Sequence, residues 1–163
     1  MSEVVIADSS CLIGLSKIGK LEVLRDLFGE IRIPPAVYHE VVVRGAGRAG
    51  ADQVKSASWI RQQAAQDDLA VRALRVNQLG LGECESMVLA LEQQADFLIL
   101  DDAAARRVAL ALDLPVIGTI AVLHKAAEKG LLPDLPAVLH CLQQAGFRFV
   151  GFQVPLGGDR NQG

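Results

Sequence analysis

The chain has 163 residues, 51% of them hydrophobic and 4% aromatic, which predicts one domain with a core of Leu, Val, Ile and Ala. The net charge of −3 argues against a protein that binds polyanions through a large basic surface. The N-terminal residues do not resemble a signal peptide, and the longest uncharged apolar stretch, 114–123, is too short to span a membrane, so we expect a cytoplasmic protein without membrane contact.

The first part of the chain alternates short apolar runs with helical patterns. In chain order, the predicted elements are a buried strand at 4–7, a helix capped by Ser9 or Ser10 that ends before Gly19, a short helix at 21–28, a strand at 31–33 and a helix from Pro35 to about Arg44. The proline suits the first helical position because an N–H at that position would have no partner. A flexible basic loop follows at 44–51.

The second part continues the alternation with longer helices. Its predicted elements are a helix at 52–65 that turns irregular near Trp59, helices at 69–79 and 83–94, a strand at 97–100, a helix at 102–112, a strand at 116–117, helices at 120–129 and 136–145, and an edge strand at 147–152. This order predicts an α/β fold, a three-layer α/β/α sandwich with a central, mostly parallel sheet. We expect a single domain, residues 1–152, and a disordered tail, residues 153–163.

Carboxylates follow two of these strands at the point where each strand ends. Asp8 follows the first strand, and Asp101 and Asp102 follow the strand at 97–100. The carboxyl ends of parallel strands meet at one edge of the sheet, where ligands of α/β proteins bind. Because an ionised carboxylate is costly to bury unless it is paired, Asp8 either caps a helix or holds a cation or a reacting group.

Three further acids are expected near the same edge. Glu83 and Glu85 open the helix before the strand at 97–100, and Glu40 lies on the helix after the second strand. Taken singly, each acid has a structural interpretation. Glu83 or Glu85 can complement a helix N-terminus, Asp102 can be a helix cap, and Glu40 can be a solvated helix residue. Taken together, converging carboxylates repel one another, and a divalent cation relieves that repulsion. Oxygen ligands favour Mg²⁺ or Mn²⁺.

Four stretches of the sequence carry a resemblance to a known family: VVIADSSCLIGLSKIGKLEVLRDLFGEIRIPPAVYHEVV, LGLGECESMVLALE, ADFLILDDAAARRVALALDLPVIGTIAVL and KGLLPD. Together they resemble the PIN domain, and more narrowly the toxin-like PIN proteins of bacteria and archaea that are related to VapC toxins. The resemblance covers nearly everything from residue 4 to about residue 149. It implies a Mg²⁺- or Mn²⁺-dependent ribonuclease, a partner antitoxin that blocks it, and a homodimer.

The resemblance also implies an ordered set of four acids. The first matches Asp8, the second Glu40, the third Glu83 with Glu85 as its competitor, and the fourth Asp101 or Asp102. In the mechanism that these carboxylates predict, one or two metal ions orient an attacking water and stabilise the leaving oxygen of a phosphodiester. We interpret Asp8 as the bridging ligand and the other acids as the rest of the metal shell.

Basic and hydroxyl residues are available to hold the substrate. The basic residues available to phosphates are Lys17, Arg44, Arg48, Arg106 and Arg107. Arg44 and Arg48, on the glycine-rich loop, are the better candidates, and Ser9, beside the first acid, joins them as a candidate substrate contact. We interpret Arg106 and Arg107 as ordinary residues of a solvated helix face.

The remaining reactive residues are predicted to be structural. The histidines, His39, His124 and His140, are scattered along the chain, and the carboxylate mechanism needs no histidine as a base. The cysteines, Cys11, Cys84 and Cys141, are widely spaced and odd in number, which predicts a reducing cytosol and three small buried residues.

Two other functions compete with a nuclease. One is a phosphoacceptor receiver domain, which requires paired acids after the first strand and a lysine after the last. Here the paired acids follow a later strand, and "LPVIGTIAVL" contains no lysine. The stronger competitor is a PIN-like nucleic-acid-binding or regulatory protein without turnover.

Overall fold

The computed structural model describes residues 2–148, which contain one five-stranded sheet. The strands are β1 (Val5–Ala7), β2 (Ile31–Ile33), β3 (Ile60–Gln62), β4 (Phe97–Ile99) and β5 (Val116–Ile117). All pairings are parallel, and the strand order is β3-β2-β1-β4-β5. The central strand, β1, is buried along its whole length, as expected for a parallel sheet that is covered on both faces.

Helices follow every strand but β3 directly or after a short turn, and the helices between strands return the chain so that each strand enters the sheet in the same direction. The helices are α1 (Ser9–Lys17), α2 (Val23–Phe28), α3 (Pro35–Tyr38), α4 (Ala51–Ser56), α5 (Asp68–Arg75), α6 (Leu81–Glu92), α7 (Ala103–Ala111), α8 (Thr119–Glu128) and α9 (Leu135–Gln144). A π-helical turn, His39–Val43, directly continues α3. Within residues 2–148, no helix is both long enough and apolar enough to cross a membrane.

Two apolar cores lie on opposite faces of the sheet. Successive residues of β1 alternate between them, because Val5 and Ala7 belong to one core and Ile6 to the other. The first core is closed by α1, α2, α8 and α9, and the second by α5, α6 and α7. This arrangement confirms the predicted α/β/α sandwich, with a sheet that is parallel throughout.

The register between β1 and β4 aligns the ends of the two strands. Ala7 pairs with Ile99, and the backbone N–H of Asp8 donates to the Ile99 carbonyl at 3.1 Å. The chain therefore leaves both strands at the same edge of the sheet, Asp8 after β1 and Asp101 shortly after β4.

The predicted helix at 52–65 is wrong in its second half. α4 ends at Ser56, and Ile60–Gln62 form β3, which pairs with β2. As an edge strand, β3 exposes Arg61 and Gln62. It therefore lacks the apolar alternation by which a half-buried strand is recognised in a sequence.

The other differences concern the ends of elements. The helix predicted from Pro35 to Arg44 is divided into α3 and the π-helical turn. Neither predicted serine caps α1. The residue at its N-cap position is Asp8, whose side chain makes no capping hydrogen bond. Phe147 and Arg148 are not in a strand, and the rest of the edge strand predicted at 147–152, like the tail at 153–163, lies outside the described residues.

The cysteine prediction holds at two of the three positions. Cys11 and Cys84 are buried, whereas Cys141 is exposed on α9. Position 141 is on the outer side of α9. The apolar composition of that helix did not indicate that this residue is exposed.

Candidate active site at the carboxyl edge of the sheet

Asp8 is the most buried acid at this edge, with 3% of its surface exposed. Its side chain makes no capping hydrogen bond to α1, and its Oδ1 atom has no hydrogen-bond partner within residues 2–148. Burial raises the pKa of Asp8 to about 7; the charges of Glu83, Glu40 and Asp101 add to this, and the Ser9 backbone amide opposes it. A helix cap would have a satisfied carboxylate, so Asp8 is not held here as a cap.

Asp101 approaches Asp8 from the β4 side and is held by Thr119. The Thr119 backbone N–H donates to Asp101 Oδ1 at 2.8 Å, and the Thr119 hydroxyl donates to Oδ2 at 2.6 Å. Burial raises the pKa of Asp101, while these two bonds and the charge of Arg106 lower it. Sequence reasoning missed Thr119. Its position at the start of α8, directly after β5, was the available signal, because the end of β5 lies at the same edge.

Asp102, the neighbour of Asp101, has a different role. Its carboxylate accepts a hydrogen bond from the Ala105 backbone N–H at 2.9 Å and caps α7. The side chain is exposed, and its charge also raises the pKa of Glu83. Of the two candidate acids after β4, Asp101 is the one whose charge acts on Asp8.

Glu40 is carried by the π-helical turn that follows β2 and α3. Single turns of π-helix are frequent at functional sites. Glu40 Oε2 and Asp8 Oδ1 each lie 3.5 Å from the point where a Cβ atom on Gly82 would be. A glycine at position 82 thus leaves open the space beside both carboxylates.

Glu83 and Glu85 lie on the same helix but have different surroundings. Glu83 is half-buried beside the N-terminus of α6 and accepts a hydrogen bond from the Gly80 N–H at 3.1 Å. Burial raises its pKa, and the charges of Asp102 and Glu40 raise it further. Glu85 accepts from the Ala36 N–H at 3.2 Å, so it supports the N-terminus of α3.

A pocket of about 350 Å³ opens between these elements. Among its lining residues are Asp8, Ser9, Ser10, His39, Glu40, Arg44, Gly82 and Glu83. The fold therefore brings together, across long sequence separations, three of the predicted acids and the predicted contacts Ser9 and Arg44. His39 reaches the rim, whereas His124 and His140 do not line this pocket.

A second cleft, of about 430 Å³, adjoins this pocket. Glu40 and Arg44 line both, and the second cleft adds Lys17 and Arg48. No ion pair within the described part of the chain involves Lys17, Arg44 or Arg48. A cluster of unneutralised cations thus lies next to the acids.

The acids share this edge without converging on a single point. Among residues 2–148, no three His, Cys, Asp or Glu side chains are grouped closely enough to hold a metal ion as they stand. The Cys11 thiol lies behind the acids, but burial raises its pKa, so it remains a neutral core group.

Carboxylates gathered at the carboxyl edge of a parallel sheet are typical of proteins that bind hard divalent cations and phosphate groups. A family model described as PIN domain matches residues 4–151. The chain therefore belongs to the PIN domain family, as the sequence predicted. PIN domains are generally nucleases that use divalent metal ions. Among curated proteins, none matches this sequence.

Proposed function

We propose that this protein is a ribonuclease that hydrolyses RNA phosphodiester bonds in the presence of Mg²⁺ or Mn²⁺. The observation that carries the proposal is the buried Oδ1 atom of Asp8, which has no hydrogen-bond partner in the described chain. An unpaired buried carboxylate oxygen is costly, and its retention beside Glu40, Glu83 and Asp101 is explained if a cation binds there.

The residues present fit a divalent cation. Asp8, Glu40, Glu83 and Asp101 offer only carboxylate oxygens, the ligands that Mg²⁺ and Mn²⁺ prefer. Gly82 leaves room beside two of them.

These four acids are the proposed metal ligands and catalytic residues. When bound, the cation activates water and stabilises charge at the scissile phosphate. The contribution of the chain is to fix the ligands. Thr119 holds both oxygens of Asp101, and the hydrogen bond from the Asp8 backbone N–H to the Ile99 carbonyl fixes Asp8 at the end of β1. The proton must leave Asp8 before its carboxylate can act as a ligand, so the raised pKa of about 7 supports metal binding that strengthens as pH rises.

The substrate proposal rests on the cleft beside the pocket. Lys17, Arg44 and Arg48 are cationic, solvent-accessible and adjacent to Glu40, so they can contact RNA phosphates on the β2 side of the acids. Ser9 lines the acid pocket, where its hydroxyl can donate to a phosphate oxygen.

We further propose that the protein is the cytoplasmic toxin of a toxin–antitoxin pair, acts as a homodimer and forms one nuclease domain over residues 1–152. This proposal rests on the resemblance to toxin-like PIN proteins. Growth arrest on expression that Asp8→Asn relieves would support the toxin role, and equal growth would oppose it. Light scattering at tens of micromolar tests the homodimer, and a monomer there would contradict it.

Cleavage of RNA is the direct test of the activity. Purified wild type and Asp8→Asn are incubated with single-stranded RNA in Mn²⁺, in Mg²⁺ and in EDTA. We expect cleavage by wild type with metal and almost none by the variant, whose amide is a weak ligand. If Asp8→Asn cleaves at the wild-type rate, the site assignment is wrong.

One observation favours a second candidate, a PIN-like nucleic-acid-binding protein without turnover. Within the described residues the acids do not already form a metal-binding group. RNA binding without Mn²⁺-dependent cleavage by wild type would establish this candidate in place of the ribonuclease.

A further inference from the structure

Arg106 reaches the acid edge from α7, on the side opposite the basic cleft. Its Nη1 atom lies 2.7 Å from the point where a Cβ atom on Gly118 would be, and Asp101 Oδ1 lies 3.1 Å from the same point. The missing side chain at position 118 therefore makes room for the guanidinium beside Asp101. Its neighbour Arg107 is exposed, as expected for a solvated helix face, whereas Arg106 is half-buried.

The guanidinium of Arg106 lowers the pKa of Asp101 through its charge, but within residues 2–148 it forms no ion pair and donates no hydrogen bond. Asp101, the acid on which the charge of Arg106 acts, accepts its hydrogen bonds from Thr119. A guanidinium carries five N–H donors, so Arg106 presents unused donors at the edge of the site.

The position of Arg106 complements the basic cleft. β1 lies between β2 and β4 in the sheet, so Asp8 is central. Lys17, at the end of α1, and Arg44, after β2, line the cleft on the Glu40 side. Arg106 lies on the Asp101 side, after β4. A nucleic-acid strand whose reacting phosphate is at Asp8 passes cations on both sides.

We propose that Arg106 binds a backbone phosphate of the RNA on the Asp101 side of the acid site, and that Gly118 provides the space that lets its guanidinium reach that phosphate. The inference rests on the proposed function. Guanidinium and phosphate match in geometry and form paired, charge-assisted hydrogen bonds. With Lys17, Arg44 and Arg48 on the Glu40 side and Arg106 on the Asp101 side, the RNA backbone contacts cations along the whole carboxyl edge of the sheet.

The test compares Arg106→Gln with Arg107→Gln, a matched control one residue along the same helix. Both are made in protein that carries Asp8→Asn, which leaves the RNA intact, and binding of a fluorescent single-stranded RNA is followed by anisotropy over a range of KCl concentrations. Loss of one phosphate contact should weaken binding and reduce the slope of log K against log salt by about 0.7. Arg107→Gln should keep the slope of its parent.

Two further variants separate charge from geometry. Arg106→Lys should restore the slope but only part of the affinity, because an ammonium cannot form the paired bonds of a guanidinium. Gly118→Ala removes no charge and should weaken binding by displacing the guanidinium, but less than Arg106→Gln does, because the end of the arginine side chain can shift. Melting curves of each variant confirm that the protein used is folded.

An unchanged salt slope in Arg106→Gln would overturn the proposal and leave Arg106 as a neighbour that acts only on Asp101. Absence of RNA binding in the parent and all variants would overturn it as well. Failure of the ribonuclease proposal gives a different result from failure of the Arg106 proposal. If only the ribonuclease proposal fails, wild type does not cleave RNA in Mn²⁺, but the salt slopes of Arg106→Gln and Arg107→Gln still differ.

Discussion

Replacing Asp8 by Asn should stabilise the metal-free protein, although it removes a residue of the proposed site. The pKa of Asp8 is raised from 3.8 to about 7, which at 1.36 kcal/mol per unit costs the metal-free fold about 4 kcal/mol at neutral pH and above. An amide at this buried position costs roughly 1–3 kcal/mol through incomplete hydrogen bonding. The expected net gain in unfolding free energy is therefore about 1–3 kcal/mol.

The pH dependence follows from the direction of the same shift. A pKa raised on folding means that the folded protein binds more protons than the unfolded chain, so stability falls as pH rises. The wild type should therefore lose stability between about pH 4, the unfolded value, and about pH 7, the folded one. Asp8→Asn should lack this part of the pH profile.

The assay is thermal melting of wild type and Asp8→Asn in EDTA and in Mg²⁺ or Mn²⁺. A gain of 1 kcal/mol corresponds to about 2–4 °C in a chain of this size. Metal at a hundredfold excess over its Kd should stabilise wild type by about 2.7 kcal/mol, and Asp8→Asn should lose most of that gain. Asp134→Asn is the matched control, because Asp134 caps α9 without lining the acid pocket and Asn caps helices as well as Asp does. Its melting should follow wild type in every buffer.

The opposite pattern would refute the reasoning. If wild type melts identically in EDTA and in both metals, and Asp8→Asn melts lower than wild type in EDTA, then Asp8 stabilises the fold directly. The proposed metal site would then not exist.

Three further predictions test the other site residues. Asp101→Asn should remove most RNA hydrolysis, whereas Asp102→Asn should retain it; the reverse order would move the ligand assignment by one residue. Glu83→Gln should weaken Mn²⁺ binding, measured by calorimetric titration. Glu85→Gln should leave Mn²⁺ binding intact. It should lower the unfolding free energy by roughly 1 kcal/mol, because the charge at the α3 N-terminus is lost. Gly82→Ala should weaken Mn²⁺ binding by about 1 kcal/mol or more without changing any charge, because its methyl group fills space beside Asp8. Unchanged affinity in Gly82→Ala would mean that the cation binds elsewhere.

Much of the fold was predictable from local pattern. The buried strands β1 and β4 are marked by short apolar runs, and the long helix α6 by its apolar pattern and by Gly80, which precedes it. β3 was not predictable in this way, because its pairing with β2 comes from the tertiary fold and not from its own, largely exposed, side chains. The division of the helix after Pro35 into an α and a π segment is likewise a local adjustment that no residue pattern marks.

The sequence by itself determined which residue types end the strands and therefore where carboxylates gather, since parallel strands deliver their ends to one edge. Only the tertiary structure decided which carboxylates face one another. It separates Asp101, held by Thr119, from the helix cap Asp102, and Glu83 beside the pocket from Glu85 at the start of α3. The reason is physical: neighbouring acids have almost identical sequence contexts, and the local turn of the backbone decides which hydrogen-bond donors each of them meets.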